Sequence, residues 1–317
     1  MRTTIIETKR HPVKFYLTLL LGFSFLFALG AFVMFIGVES LQNEYSGMKQ
    51  YIMPFFGVII CFLAFWTVYS YCRNSPKVTI NNSNLKIGKE SFKISCIKDV
   101  ALSGKMPFPL IIDFPMEGLA ILFNDGKEKF LYDDMYINSN EVKLFLEQVV
   151  VKKEAFKPIT SEKIDSKALR FQDEIVFKGN QFTSLRGISL WSLLSFFMFI
   201  ILINIGKQNI GVVIFFLLFG GLLFALFSWL MHFVGLTKDF LIIRNHNFIW
   251  KEIIYRLSDI KEIVFESQGN QPNCIRVITN DFKSKLYPAA TLTDKMWLDL
   301  KRKLERKGVK VRNECVF

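Results

Sequence analysis

The chain has 317 residues, of which 51% are apolar, 21% are charged and 34 are phenylalanine, and its formal charge is +12. The apolar residues fall into long uninterrupted blocks, which excludes a simple soluble globule, and this much hydrophobicity excludes a disordered chain. Five dispersed cysteines without CxxC spacing argue against a disulfide framework and fit a reducing compartment.

Four blocks carry no Asp, Glu, Lys or Arg: residues 15–38, 50–72, 187–206 and 208–237. Each reaches the roughly 20 residues that a helix needs to cross about 30 Å of hydrocarbon. They pair as two hairpins, because the turns at 39–49 and around Lys207 are too short to hold a folded domain. Arg2, Lys9, Arg10 and Lys14 precede the first block, and Arg73 and Lys77 follow the second. Lys167, Arg170, Lys178 and Arg186 precede the third, and Lys238 follows the fourth. The positive-inside rule then places both termini and both polar segments in the cytoplasm. The rival for the first block is a cleaved signal peptide, whose apolar core is usually shorter. Pro54 is expected in the first turn of its helix, where a missing N–H is harmless. Gly22, Gly30, Gly220 and Gly221 could let helices approach closely, but without a GxxxG register they read better as ordinary membrane-helix glycines.

The pattern of span, span and polar segment occurs twice. Val78-Thr-Ile80-Asn-Asn82-Ser-Asn84-Leu85 lines up with Leu241-Ile-Ile243-Arg-Asn245-His-Asn247-Phe248. Ile97-Lys98-Asp99-Val100 lines up with Ile260-Lys261-Glu262-Ile263. Asn124-Asp125-Gly126-Lys127 is echoed by Asn280-Asp281-Phe282-Lys283. Before each hairpin, Ile5-Ile6-Glu7 and Glu174-Ile175-Val176 also rhyme, as two short strands or as coincidence. Strands are expected over 77–85, 86–94 and 97–103, and over 119–123 and 129–132 about an Asn-Asp-Gly turn. A helix over 139–151 carries Val142, Leu144 and Phe145. A helix from Thr293 or Asp294 shows Met296, Trp297, Leu300 and Leu304 on one face.

The expected architecture is thus four transmembrane helices as two hairpins, each followed by a small β domain with a C-terminal helix. The segments are 1–75 (tail and hairpin 1), 76–153 (domain 1), 154–186 (linker), 187–237 (hairpin 2) and 238–317 (domain 2). Through these turns, strands and hairpins the chain resembles the bacterial membrane proteins in which a two-span hairpin precedes a pleckstrin-homology-like (PH-like) β-barrel or sandwich, here in tandem. The resemblance implies a binding or scaffolding module in the bacterial inner membrane. It implies no reaction, no catalytic residues and no cofactor.

Two stretches are candidates for lipid or partner binding. Lys301, Arg302, Lys303, Arg306, Lys307 and Lys310 belong to a basic run in a segment (236–317) with 16 basic and 10 acidic residues. Near an anionic membrane such a run gains about 1 kcal/mol per cation; otherwise it is a solvated helix face. Residues 104–116, apolar, proline-rich and present in the first copy alone, include Phe108, Leu110, Ile111 and Phe114. They read as a loop that dips into the bilayer or clasps a partner, or as one packed on the spans or on domain 2. Membrane lipids, a protein partner and a second copy of the chain are the expected partners; nucleic acid is not, since the basic run lacks interleaved aromatics. Asp133 and Asp134 are adjacent and point apart if on a strand, so catalysis finds no constellation to use. A membrane effector, such as an immunity or stress-defence protein, is the alternative to a scaffold.

Overall fold

The structure is a computed structural model and describes residues 5–41, 48–110, 113–159, 173–206, 210–267 and 272–315. The chain divides into two compact units, Met1–Ile159 and Thr160–Phe317.

Unit 1 opens with strand β1 (Ile6–Glu7). A wide helical turn (Pro12–Leu17) leads into α1 (Thr18–Leu41), and α2 (Met48–Asn74) brings the chain back. Strands β2 (Val78–Ile80), β3 (Asn84–Ile87) and β4 (Glu90–Lys93) then complete an antiparallel sheet in the order β1-β2-β3-β4, with Ile6 opposite Ile80. The helical hairpin is therefore inserted between two paired strands, and its two ends emerge side by side. The second sheet holds β5 (Ile97–Ala101), β6 (Lys105–Phe108), β7 (Phe114–Phe123) and β8 (Glu128–Tyr132), all paired to the long β7. Helix α3 (Ser139–Leu146) closes the core with Val142, Phe145 and Leu146 against Leu85, Leu119 and Phe123.

Unit 2 repeats the order. Strand β9 (Ile175–Phe177) precedes α4 (Leu185–Gly206) and α5 (Ile210–Trp229). Strands β10 (His232–Leu236), β11 (Phe240–Asn245) and β12 (Glu252–Arg256) follow, in the order β12-β11-β10-β9. The second sheet has β13 (Ile260–Glu266), β14 (Cys274–Thr279) and β15 (Ser284–Pro288). Helix α6 (Asp294–Arg306) leads to β16 (Val311–Asn313), parallel to β13. Trp297, Leu300 and Leu304 of α6 are buried, Trp297 edge-on to Phe265, on the face that the 3.6-residue period requires.

Four helices are long and apolar enough to cross a membrane. Their flanks are apolar on every side: Leu21, Phe25 and Phe35 on α1, and Phe55, Phe62 and Phe65 on α2, are exposed. Such surfaces suit hydrocarbon and not water.

Several expectations change. The fourth apolar block ends as a helix at Trp229, and 232–236 is strand β10. That strand is buried over Phe233–Val234–Gly235–Leu236, so it shows no alternation and merges with the helix in a hydropathy pattern. Strands β1 and β9 lie outside the expected domains 76–153 and 238–317 but belong to their sheets. The strand pairs form open sheets, not a closed barrel. The Asn-Asn-Ser-Asn turn joins β2 to β3, whereas Arg-Asn-His-Asn follows β11, one strand later in the order, so these two turns are not counterparts. The counterpart of Asn81 is Thr237. The Asn84 N–H donates to Asn81 Oδ1 at 2.7 Å, and the Phe240 N–H to Thr237 Oγ1 at 3.0 Å. Pro54 lies inside α2, not in its first turn, and Gly37 makes room for it: a Cβ at Gly37 would sit 2.5 Å from the proline ring. Gly30 also permits close backbone contact, since a Cβ there would lie 2.9 Å from Gly57 O, while Gly22 and Gly221 have open space.

Candidate functional site

The insertion of unit 1 is a β-hairpin arm. Lys105 to Phe108 pair with Phe114 to Glu117, and the arm folds onto the end of α2. Phe108 is fully buried, its ring edge-on to Tyr71 and Tyr132. The Tyr132 hydroxyl donates to Pro107 O at 2.6 Å, and the Asn74 amide to Pro109 O at 2.6 Å. Leu110 packs on the same core. Phe108 therefore belongs to the fold and offers no surface. Phe114 is 40% exposed. Ile111 lies outside the described residues.

Asp133 and Asp134 do point apart, but from a short 3-10 turn and not a strand. Asp133 meets Lys143 of α3 at 2.7 Å with both side chains buried, and Asp134 meets Lys14 at the foot of α1. Burial, followed by the nearby Asp113 charge, pushes the Tyr132 phenol up to about 12. These residues tie the sheet to the helices, and the geometry brings no nucleophile to a base among them. Among the described residues, no three His, Cys, Asp or Glu side chains group to hold a metal.

In unit 2 the basic run divides. Lys301 pairs with Glu305 at 3.8 Å, Lys303 with Asp299 at 3.0 Å and Lys310 with Glu262 at 3.2 Å. Arg302, Arg306 and Lys307 are exposed, and among the described residues none of them makes an ion pair. The Lys307 ammonium donates to Lys238 O at 3.2 Å. There an open cleft of about 470 Å³ is lined by Lys238, Asp239, Arg256 and Lys307.

The direction of α6 follows from its two ends. The residues before it are tied to the end of α5: Ala290 N–H donates to Leu230 O at 3.0 Å, and Met231 bridges Ala289. Its last turn reaches the β10–β11 turn at Lys238, the far end of β10 from α5. A helix of 13 residues rises about 20 Å. Arg306 and Lys307 thus lie at the end of α6 remote from α5, a relation that the linear sequence hides because the ties are non-local.

No protein-family model matches the chain, and no curated protein aligns with it significantly.

Proposed function

We propose that this chain is a bacterial inner-membrane scaffold, built by duplication from two PH-like modules, each carried on its own two-span hairpin. Its basic end engages an acidic soluble protein. The common order of strand, hairpin, three strands, second sheet and helix supports the duplication. So does the shared register: Ile6 opposes Ile80 as Ile175 opposes Leu236. Both ends of a hairpin meet one sheet, which fits the cytoplasmic placement of both modules by flanking charge.

The observation that carries the reading is the course of α6. Arg306 and Lys307 lie about 18–20 Å along α6 from its α5-side end, further than the roughly 8 Å over which salt lets exposed charges act, which supports a soluble acidic surface as their partner.

A photo-cross-linker at position 306 of the full-length protein in intact cells tests this. One dominant soluble protein adduct is expected, lost when Arg302 and Lys307 are changed to glutamate. Adducts to lipid alone would overturn it.

A further inference from the structure

The chain from β11 to β12 makes a turn whose composition contradicts its exposure. Asn245 Oδ1 accepts from the N–H groups of Asn247 and Phe248 at 3.0 and 2.9 Å, and Lys251 N–H closes on Phe248 O at 2.8 Å. Ile249 and Trp250 occupy the two corner positions and are 82% and 73% exposed. Turn corners in water favour Gly, Asn, Asp and Pro. An isoleucine and a tryptophan there are unfavourable unless something other than water meets them.

The turn is held against the membrane-spanning hairpin of its own unit. Asn247 donates to Ser228 Oγ at 2.7 Å, and Asn245 to Ser228 O at 2.7 Å. The Phe248 ring stands edge-on to Phe224, centroids 6.5 Å apart, and beside Trp250 at 5.6 Å. Phe224 lies five residues before Trp229, the last residue of α5, about 7.5 Å back along the helix. Phe248 therefore reaches down the flank of a span, past its end. Trp191 of α4 and Phe182 continue the aromatic layer, Trp191 lying 6.4 Å from Phe224 and 5.3 Å from Phe182. Lys251 holds its ammonium 4.8 Å from the Phe248 ring, a cation–π contact on a flexible stem long enough to carry the head to phosphate level. The corresponding turn of unit 1, between β3 and β4, is Gly88-Lys89 and carries no such side chains.

We infer that the 248–251 turn is a bilayer wedge: Ile249 and Trp250 enter the boundary between headgroups and acyl chains of the leaflet that α5 leaves, and Lys251 stays with the phosphates. The occupant is lipid because Phe248 stands against Phe224 in the last turns of α5, where Leu222, Leu226 and Trp229 are exposed apolar surface, and tryptophan favours that boundary. The wedge fixes the tilt of module 2 on the membrane, and module 1 lacks it. The inference rests on the membrane reading of hairpin 2.

The test uses the full chain in phosphatidylcholine–phosphatidylglycerol vesicles. Tryptophan emission of the unaltered protein minus that of Trp250→Phe isolates the Trp250 contribution. That contribution is expected to lose most of its intensity to lipids brominated near the top of the acyl chain and little to aqueous iodide. Quenching by iodide and not by brominated lipid would overturn the wedge, and shielding from both would assign the turn to a protein contact instead. The remaining tryptophans, including Trp191 and Trp229, report separately on the spans. If brominated lipid quenches none of them, the membrane reading itself fails; if it quenches them and spares Trp250, the wedge alone fails. Trp250→Tyr should give the same difference, which guards against a folding defect in one variant.

Discussion

The guanidinium of Arg10 closes the first hairpin on Ser75. Its Nε and one terminal nitrogen donate to Ser75 O at 3.0 and 2.8 Å, and it also reaches Cys72 O at 3.2 Å. A residue that precedes α1 thus caps the carbonyl end of α2, where unpaired C=O groups and the negative end of the helix dipole collect. Arg10 lies 4.5 Å over the buried ring of Phe15 as well.

Because charge-assisted hydrogen bonds contribute about 1.5–3 kcal/mol, Arg10→Ala should destabilise unit 1 by that order. Arg10→Lys should recover less than half, since an ammonium lacks the planar fork. Thermal unfolding of the detergent-solubilised protein measures both, and identical melting of all three proteins would show that the cap contributes nothing.

Unit 2 ties the residue before its hairpin to the sheet after it by an ion pair. Glu174, just before β9, reaches Arg244 of β11, which also holds Glu252 at 2.9 Å. To do so its carboxylate crosses the backbone at Gly235, where a Cβ would overlap Glu174 Oε1. Gly235→Ala should therefore displace Glu174 and cost about 1–3 kcal/mol, the penalty of separating a partly buried ion pair. In Glu174→Ala the same glycine change should be almost free. Coupling of this kind is read from a double-mutant cycle of denaturant midpoints, and simple additivity would refute the overlap.

What the sequence could disclose depended on how local each signal was. The hairpins were legible because a charge inside hydrocarbon is costly, and that cost leaves a charge-free block. The buried face of α6 was legible from Trp297, Leu300 and Leu304, whereas the rhyme of Ile6 with Ile175 was too short to separate two strands from coincidence. Strand β10 was hidden because its burial continued the apolar run of α5 without alternation. The Asn-rich turns were matched one strand out of step, because an asparagine that accepts backbone N–H groups suits many turns. The burial of Phe108 on Tyr71 and the course of α6 depend on contacts between distant residues, which no local pattern encodes. Ile249 and Trp250 did leave a signal, two large apolar residues where a turn wants small polar ones, but it had meaning only once the turn was seen beside Phe224.

Acid should loosen unit 2. Burial, then the charge of Lys178 and the neighbouring His232, hold the His246 imidazole down to about 4, against an ordinary value near 6.5. Its Nε2 lies 3.1 Å from Thr291 Oγ1. Between these values the unfolded chain binds more protons than the folded one, so stability is full above about pH 6.5 and is lost as the pH falls towards 4. His232 is lowered as well, by burial first, and adds in the same direction. His246→Asn should flatten the fall in melting temperature between pH 6.5 and 4.5, leaving the smaller His232 share. An unchanged slope would mean that His246 is protonated in the folded state already.

Phe282 occupies a position that normally belongs to glycine. In the β7–β8 hairpin Gly126 takes φ +81°, and at the matching place in the β14–β15 turn Phe282 takes φ +59°. Left-handed backbone costs a residue with a side chain roughly 1–2 kcal/mol, so Phe282→Gly relieves strain. The ring, however, is buried to 1% exposure, with Lys261 Nζ 3.7 Å from its centroid, and removal of a buried phenylalanine costs about 3–5 kcal/mol. Packing outweighs strain, and the variant should be less stable by about 1–4 kcal/mol, the difference of those two ranges. Phe282→Ala should be worse than Phe282→Gly, because alanine loses the packing and keeps the strain. Chemical denaturation of the three proteins orders them, and an alanine variant more stable than the glycine variant would show that the turn had changed its backbone to suit.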